Sequence, residues 1–145
     1  MDIKKVVVIG SGTMGSGIAA HLCNAKIPVT LLDLTTEISE KARERIFKSK
    51  PPLLLDKSKI GNIKVGNINE NFDVVKDADW VVEAVVERID IKHSIYEKIF
   101  KNRKDGAIVS SNTSSIPIKI LSEKLTSEEK KDFCITHFFN PVRYM

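Results

Sequence analysis

The sequence contains few cysteines and no metal-binding spacing. Its two cysteines, Cys23 and Cys134, stand far apart, without a Cys-x-x-Cys pair or a histidine spacing suited to zinc. We therefore expect no metal site. Each cysteine falls in an apolar pattern, so we expect buried, reduced thiols and a reducing, cytoplasmic compartment.

The sequence also lacks a long apolar run and a basic patch. No stretch approaches the roughly 20 apolar residues of a membrane helix, and the N-terminus shows no cleavable signal pattern. The formal net charge is only +4, and the densest basic cluster, residues 41–50, is interrupted by Glu44, Ile46 and Phe47. Such a cluster is typical of a solvated helix face. We therefore expect neither a membrane nor a nucleic acid as partner.

The length and composition are those of one globular domain. A chain of 145 residues can bury a core of its own but is too short for two full domains. It contains no internal repeat and no low-complexity tract. We therefore expect a single domain over residues 1–145.

Apolar runs alternate with amphipathic segments along the chain. Three consecutive valines in the first run predict a strand covered on both faces, as in a parallel sheet. The predicted strands are residues 4–9, 29–32, 63–68, 80–86, 107–110 and 133–137. The predicted helices are residues 14–25, 35 or 36 to 48, 72–75 and 90–100, with one helix or two short ones in 116–125. Residues 51–64 are predicted to be a loop or mobile excursion. This alternation predicts an α/β fold of the Rossmann type, with a doubly wound, mostly parallel sheet and helices on both faces.

A glycine-rich turn of the form G-x-G-x-x-G joins the first strand to the first helix. Its residues are Gly10, Ser11, Gly12, Thr13, Met14 and Gly15. In such a turn the first glycine permits the sharp bend, the second lets the backbone approach a pyrophosphate, and the third lets the helix pack on the sheet. The helix N-terminus supplies free N–H donors to the phosphates. The turn therefore predicts a dinucleotide site.

Asp33, at the end of the second strand, stands where an acidic side chain accepts hydrogen bonds from an adenosine ribose. An arginine there would favour NADP. The alternative is a turn that only joins two elements, with Asp33 as a surface carboxylate, but the spacing of strand, turn, helix and acid favours a dinucleotide. The motif alone does not separate NAD from FAD.

Four blocks of the sequence resemble those of the 3-hydroxyacyl-CoA dehydrogenases and occur in that family's order. They are residues 8–19, 78–87, 110–116 and 137–141. The resemblance covers the chain except residues 51–64. That short connection and the ending Val142-Arg143-Tyr144-Met145 look most like the dehydrogenase part of bacterial multifunctional fatty-acid oxidation proteins. The resemblance implies NAD as cofactor and hydride transfer from C3 of a 3-hydroxyacyl-CoA, giving a 3-oxoacyl-CoA in β-oxidation.

The resemblance also implies roles for particular residues. His137 matches the catalytic base, and a histidine suits this task because its ordinary pKa lies near neutrality. Ser114 matches a serine that contacts the substrate near the nicotinamide, where a hydroxyl can donate to the reacting oxygen. Asn140 matches the residue that binds the nicotinamide carboxamide. Glu87 and Lys92 match positions that contact the nicotinamide-side ribose.

Other interpretations of these residues stay open. Glu87 and Lys92 can equally be a solvent-exposed pair at the head of a helix, and one member of the cluster around Ser114 is expected to cap the helix that follows. Glu83 is expected to support the loop after its strand rather than bind cofactor. Two further histidines are expected to be surface or structural residues: His21 and His93.

The resemblance places further parts of the site beyond Met145. In the family a glutamate on the next segment orients the histidine, and a helical domain completes the acyl-CoA pocket and the dimer contact. We therefore expect this chain to bind NAD but to show little dehydrogenase activity alone, and its parent protein to be a homo-oligomer through that domain. Two alternatives are a non-catalytic Rossmann protein and a related dehydrogenase of small hydroxy acids, whose family lacks His-Phe-Phe-Asn-Pro and uses a lysine from a later helix.

Overall fold

The computed structural model describes residues 2–145, so that Met1, the first residue of the expected domain, lies outside the described part. Within it, the strands are β1 (Val6–Ile9), β2 (Val29–Asp33), β3 (Ile63–Asn67), β4 (Trp80–Glu83), β5 (Ile108–Ser111) and β6 (Phe133–Ile135). The α-helices are α1 (Thr13–Asn24), α2 (Thr36–Lys48), α3 (Ile89–Asn102), α4 (Ile118–Leu121) and α5 (Ser127–Lys131). Two 3₁₀ helices cover Lys57–Asn62 and Phe72–Asp77.

The described strands form one parallel sheet in the order β3-β2-β1-β4-β5-β6. The side chains of β1 alternate between two apolar clusters. Val6 and Val8 pack on one face with residues of α1 and α2, and Val7 and Ile9 pack on the other with residues of α3. All four are at most 2% exposed, and each such side chain contributes about 1.5–3 kcal/mol by leaving water. The predicted doubly wound α/β fold, with helices on both faces, is confirmed.

The order of the strands reverses between β1 and β4. After β1 the chain winds outward to β2 and β3, and then returns to place β4 on the other side of β1. In open α/β sheets the crevice at such a reversal, outside the carboxyl ends of the strands, is where ligands bind. Gly10 and Ala84 are the residues that follow these two strands.

Two strands end at least two residues earlier than predicted. The strand predicted at 80–86 ends at Glu83, because the Glu83 carboxylate accepts a hydrogen bond from the Val85 N–H at 2.8 Å and turns the chain. The strand predicted at 133–137 ends at Ile135, although the Thr136 N–H still donates to the Ser111 carbonyl. Beyond β4 the apolar run continues through Ala84, Val85 and Val86, whereas beyond β6 the chain turns polar at Thr136 and His137.

Residues 51–64 are only partly the loop that the sequence predicts, since residues 51–56 form no helix or strand whereas residues 57–64 do. They contain the 3₁₀ helix Lys57–Asn62, whose N-terminus is capped by the Asp56 side chain, and the first two residues of β3. The Asn24 side chain hydrogen-bonds the backbone of Leu53 and Leu55, and Arg143 donates to the carbonyls of Pro52 and Leu54. These contacts, made by residues distant in sequence, hold the segment against α1.

The sequence interpretation also missed α5. Its signal is present, because Thr126 and Glu129 form a capping box in which each side chain binds the other's backbone N–H. Such a pair three residues apart marks a helix start. Cys134, expected to be buried, is only half-buried, and Cys23 is buried as expected. None of the helices in residues 2–145 is long and apolar enough to cross a bilayer.

Asp79 joins the start of β4 to β1 and to the end of α3. Its carboxylate accepts hydrogen bonds from the Lys4 and Lys5 N–H groups and pairs with Lys104. The hydrogen bond from Lys104, followed by those from the two backbone N–H groups, lowers the pKa of Asp79 from 3.8 to about 2. The stabilisation is therefore complete above pH 4 and is lost as the pH falls towards 2.

Asp79→Asn should accordingly lower the melting temperature at pH 7, with a difference from the wild type that shrinks between pH 4 and pH 2. Thermal denaturation followed by circular dichroism over this pH range measures it. Asp105→Asn is the matched control, because Asp105 is exposed and its carboxylate makes no hydrogen bond or ion pair with residues 2–145. A difference for Asp79→Asn that stays constant down to pH 2 contradicts the assignment.

Candidate functional site

Two adjoining cavities lie at the carboxyl edge of the sheet. The first, here called the glycine-turn cavity, has a volume of about 370 Å³, and its polar lining comes from Gly10, Ser11, Gly12, Asp33 and Arg45. The second, here called the histidine cavity, has a volume of about 280 Å³ and includes Met14, Glu87, Ser114, His137 and Asn140 in its lining. Ala84 and Val85 line both. The two cavities therefore form a continuous cleft across the point where the strand order reverses.

The three glycines of the turn differ in what surrounds them. Gly10 has a φ of +101°, and a Cβ there would lie 2.4 Å from the Ala84 carbonyl oxygen. A Cβ on Gly15 would lie 1.8 Å from the Gly10 carbonyl oxygen. Around Gly12, in contrast, no described atom beyond its two chain neighbours lies within 4 Å of the Cβ position. The fold therefore requires Gly10 and Gly15, whereas Gly12 leaves a space in the cavity that suits a bound group.

The N-terminus of α1 begins at this space. Gly12 is its N-cap residue, no side chain caps the helix, and the first turn carries no acidic residue. The first N–H groups of a helix have no partner within the helix, and they carry the positive end of its dipole. Together with the open Gly12 position, this arrangement suits the phosphates of a dinucleotide.

Asp33 is held at the rim of the glycine-turn cavity. Its Oδ2 accepts hydrogen bonds from the N–H and the hydroxyl of Ser11, at 2.7 and 2.6 Å, and its Oδ1 accepts one from the Leu34 N–H. An ionised carboxylate offers about four acceptor positions. Asp33 thus fixes the turn to the end of β2 and keeps capacity for a further donor such as a ribose hydroxyl.

The rest of the glycine-turn cavity is apolar, which the sequence interpretation did not anticipate. Ile91 and Ile95, which are one helical turn apart on α3, are half-buried and line this cavity. Further apolar lining comes from Leu34, Ile38, Ile68 and Val86. A pocket of this kind, polar at one rim and apolar elsewhere, suits a flat ring such as adenine.

His137 lies two residues beyond β6 and is exposed in the histidine cavity. Its ring centroid lies 4.8 Å from that of Phe139. The backbone beside it is fixed, since the Phe138 N–H donates to the Asn112 side chain at 2.8 Å. Within residues 2–145, no side chain hydrogen-bonds the His137 imidazole. The backbone beside His137 is therefore held in place, while the imidazole lies against Phe139 and lines the cavity.

Neighbouring residues of the serine loop, residues 112–115, make different contacts. The Thr113 hydroxyl accepts a hydrogen bond from the Ile116 N–H at 3.1 Å and donates to Glu87 at 2.5 Å. The Ser115 hydroxyl also donates to Glu87, at 3.2 Å. The helix cap expected within this cluster is not found, because α4 begins at Ile118 after Pro117 and no side chain caps it; Thr113 instead holds the turn that leads to Ile116. Ser114, between them, is exposed and lines the histidine cavity.

Glu87 and Lys92 do not form a solvent-exposed pair. Lys92 is 0% exposed, and its Nζ lies 2.6 Å from Glu83 Oε1 and 3.0 Å from Glu87 Oε1. The exposed-pair interpretation is therefore wrong for Lys92, because neighbouring carboxylates compensate its burial. Partial burial raises the pKa of Glu87, but the hydrogen bonds from Thr113 and Lys92 lower it by more, so the pKa lies below its usual value.

The remaining predicted site residues lie away from the cavity linings. Thr13 opens α1, Gly15 packs against the turn, and Lys92 lies beneath the cleft. His93 is buried, and its Nε2 hydrogen-bonds the Ile120 carbonyl, whereas His21 is exposed on α1. The expected structural role of His93 and surface position of His21 are confirmed.

Comparison with known proteins agrees with this geometry. Residues 5–145 match the family model described as 3-hydroxyacyl-CoA dehydrogenase, NAD binding domain. A protein of Rickettsia felis named as a fatty acid oxidation complex trifunctional enzyme is 46% identical over 99% of this chain, and the match covers 21% of that protein. A protein of Deinococcus radiodurans named as a probable 3-hydroxyacyl-CoA dehydrogenase is 41% identical over 100% of the chain and 44% of its own length.

A solved structure shares the fold. The crystal structure of 3-hydroxybutyryl-CoA dehydrogenase from Escherichia coli superposes with a TM-score of 0.86 and 25% identity, over 100% of this chain and 31% of that one. The chain thus spans less than half the length of each of these three proteins. By its family match, its relatives and its fold, the chain belongs to the 3-hydroxyacyl-CoA dehydrogenase family, as an NAD-binding domain.

Proposed function

We propose that this chain holds NAD across both cavities and supplies the catalytic base for oxidising a 3-hydroxyacyl-CoA to a 3-oxoacyl-CoA. The observation that carries the proposal is the histidine cavity. Four residues from three separate parts of the sequence line it together, next to the glycine turn: Glu87, Ser114, His137 and Asn140. An isolated histidine would carry no such implication.

In the proposed arrangement, the adenosine half of the cofactor lies in the glycine-turn cavity. The Asp33 carboxylate accepts hydrogen bonds from its ribose, and the N-terminal N–H groups of α1 bind its phosphates against Gly12. The nicotinamide half lies in the histidine cavity, where the Asn140 side chain binds the carboxamide and Glu87 accepts from the ribose. Lys92 is buried beside Glu87. It holds the Glu87 carboxylate in place for that ribose or donates to the ribose with the third hydrogen of its ammonium group.

The proposed chemistry divides between the cofactor and the chain. When bound, the nicotinamide would supply the acceptor for the hydride from C3 of the substrate. His137 accepts the proton of the substrate hydroxyl, and its exposure to the cavity supports this role. Ser114 donates a hydrogen bond to the same oxygen, where negative charge develops as the proton leaves.

The 145 residues are proposed to bind the cofactor without completing the catalyst. A base that becomes an imidazolium is stabilised when a carboxylate orients it, and His137 has no such partner among residues 2–145. We propose that the carboxylate, the acyl-CoA pocket and the contacts of a homo-oligomer come from further protein. The buried, unpaired Cys23 supports a reducing compartment such as the cytoplasm.

A titration of the chain with NADH, followed by ligand fluorescence, tests the proposal. We expect saturable binding with a Kd in the micromolar range. We also expect 3-hydroxybutyryl-CoA to be oxidised roughly a thousandfold or more slowly than the 1–10³ s⁻¹ that is typical of enzymes. Absence of binding at millimolar NADH would reject the cofactor role. Oxidation at an ordinary enzyme rate would reject the incomplete catalyst.

A further inference from the structure

Glu83 is a fully buried carboxylate with four hydrogen-bond donors. It is 0% exposed. Its Oε1 accepts from the Val85 N–H at 2.8 Å and the Lys92 Nζ at 2.6 Å, and its Oε2 accepts from the Tyr96 hydroxyl at 2.6 Å and the Ser111 hydroxyl at 2.7 Å. Glu83 thereby joins the ends of β4 and β5 to α3 and to the turn that both cavities share.

The lysine carries this connection to the surface of the histidine cavity. The Lys92 Nζ contacts both Glu83 and Glu87. Glu87 lines the histidine cavity, and its Oε2 accepts from the Thr113 and Ser115 hydroxyls on either side of Ser114. A chain of charge-assisted contacts therefore leads from Glu83 to the serine loop, although Glu83 itself lines neither cavity.

The neighbours of Glu83 are suited to hold a charged carboxylate. Burial, and then the negative charge of Glu83, raise the pKa of Tyr96 well above its ordinary value, so the hydroxyl stays protonated and donates. A buried ion pair gains little stability over a well-packed apolar pair of the same volume. The arrangement is therefore better explained by what it orients than by the stability it adds.

We infer that Glu83 is a positioning residue for the nicotinamide half of the site: through Lys92 and Glu87 it sets the serine loop that presents Ser114 to the histidine cavity. The inference rests on the proposed function. Without the charge on Glu83, Lys92 forms an ion pair with Glu87 alone. The stronger attraction draws the Glu87 carboxylate away from Thr113 and Ser115. Neither Asp33 nor the glycine turn hydrogen-bonds the side chains of Glu83, Lys92 or Glu87. We therefore expect the adenosine half to be retained as long as the Val85 hydrogen bond holds the shared turn.

Glu83→Gln tests this inference, with NADH and ADP as probes of the whole site and of its adenosine half. A glutamine keeps the side-chain length and a carbonyl that can accept from Val85, so the shared turn is retained. We expect the Kd for NADH to rise about tenfold, which corresponds to 1.4 kcal/mol, while the Kd for ADP changes less than twofold. Glu97→Gln is the matched control, since Glu97 is an exposed carboxylate on the same helix.

Thr113→Val interrupts the same series of contacts at its other end, and it serves as the test if Glu83→Gln does not fold. It removes the hydroxyl that donates to Glu87 and keeps the shape of the side chain, and we expect the same selective loss of NADH affinity. Equal losses for NADH and ADP, or no loss of NADH affinity in a folded variant, overturn the inference. If the wild-type protein binds ADP but not NADH, the proposed function is overturned together with the inference. If the wild-type protein binds both and only the Glu83→Gln result fails, the inference alone is overturned.

Discussion

Replacing Gly12 with alanine is expected to weaken NADH binding at least a hundredfold while leaving the domain folded. The added methyl group would enter the open space of the glycine-turn cavity, where no described atom beyond the two chain neighbours lies within 4 Å. The Gly12 φ of −66° suits alanine, so the free energy of unfolding should change by no more than about 1 kcal/mol. The loss arises because the backbone can no longer approach the phosphates. Fluorescence titration and urea denaturation measure the two quantities.

Two other glycines make this result specific. Gly61 also has open space around its Cβ position but lies in a 3₁₀ helix outside both cavities, so Gly61→Ala should bind NADH like the wild type. Gly15→Ala should instead unfold the domain or destabilise it by roughly 3 kcal/mol or more, because the methyl group meets the Gly10 backbone. Unchanged NADH affinity in Gly12→Ala would place the phosphates elsewhere.

Lys92→Met is expected to destabilise the domain by about 3–5 kcal/mol, because it leaves the buried Glu83 carboxylate without its cation. Glu83→Gln combined with Lys92→Met removes both buried charges and should recover most of that loss. The free energy of unfolding in urea measures both changes. Lys101→Met, on the exposed face of α3, is the control and should change stability by less than about 0.5 kcal/mol.

The double variant Glu83→Gln with Lys92→Met shows whether Lys92 is held in place by its ion pair with Glu83. If the two substitutions destabilise the domain additively, the residues are not coupled and the ion pair is not what holds Lys92 in place. A change of less than about 1 kcal/mol for Lys92→Met alone would mean that water or a rearranged side chain compensates Glu83.

The sheet and the composition of the cleft follow from patterns that are local in sequence. The strand at Val6–Ile9, the glycine turn and Asp33 occur within one strand-helix-strand unit, so their spacing alone places them together. The parallel sheet then brings the carboxyl ends of its strands to one edge, which explains why Ser114 and His137 share a cavity.

The buried lysine was not predictable in this way. The sequence shows an apolar stripe through Ile91 and Ile95 on α3, yet the buried residues include Lys92 and Tyr96, one position further along the helix. A shift of one position turns the helix face by 100°. Periodicity reveals an apolar face, but it does not reveal that a carboxylate on a neighbouring strand compensates a lysine.

The contacts of residues 51–64 were hidden for a different reason. The segment has no sustained period, and it is held by Asn24 and by Arg143, whose partner Pro52 is 91 positions away in the chain. Contacts of such long range leave no local pattern. Sequence reasoning therefore described this segment as mobile when its order comes from the fold.

The turn that follows β4 governs how the two cavities act together. Ala84 and Val85 line both cavities. When one half of a ligand is bound in one cavity, the other half is therefore kept at the entrance of the second cavity. The second half then binds as an intramolecular event, at an effective concentration in the millimolar range for a short tether. Avidity for a two-part ligand thus depends on the spacing that this turn maintains.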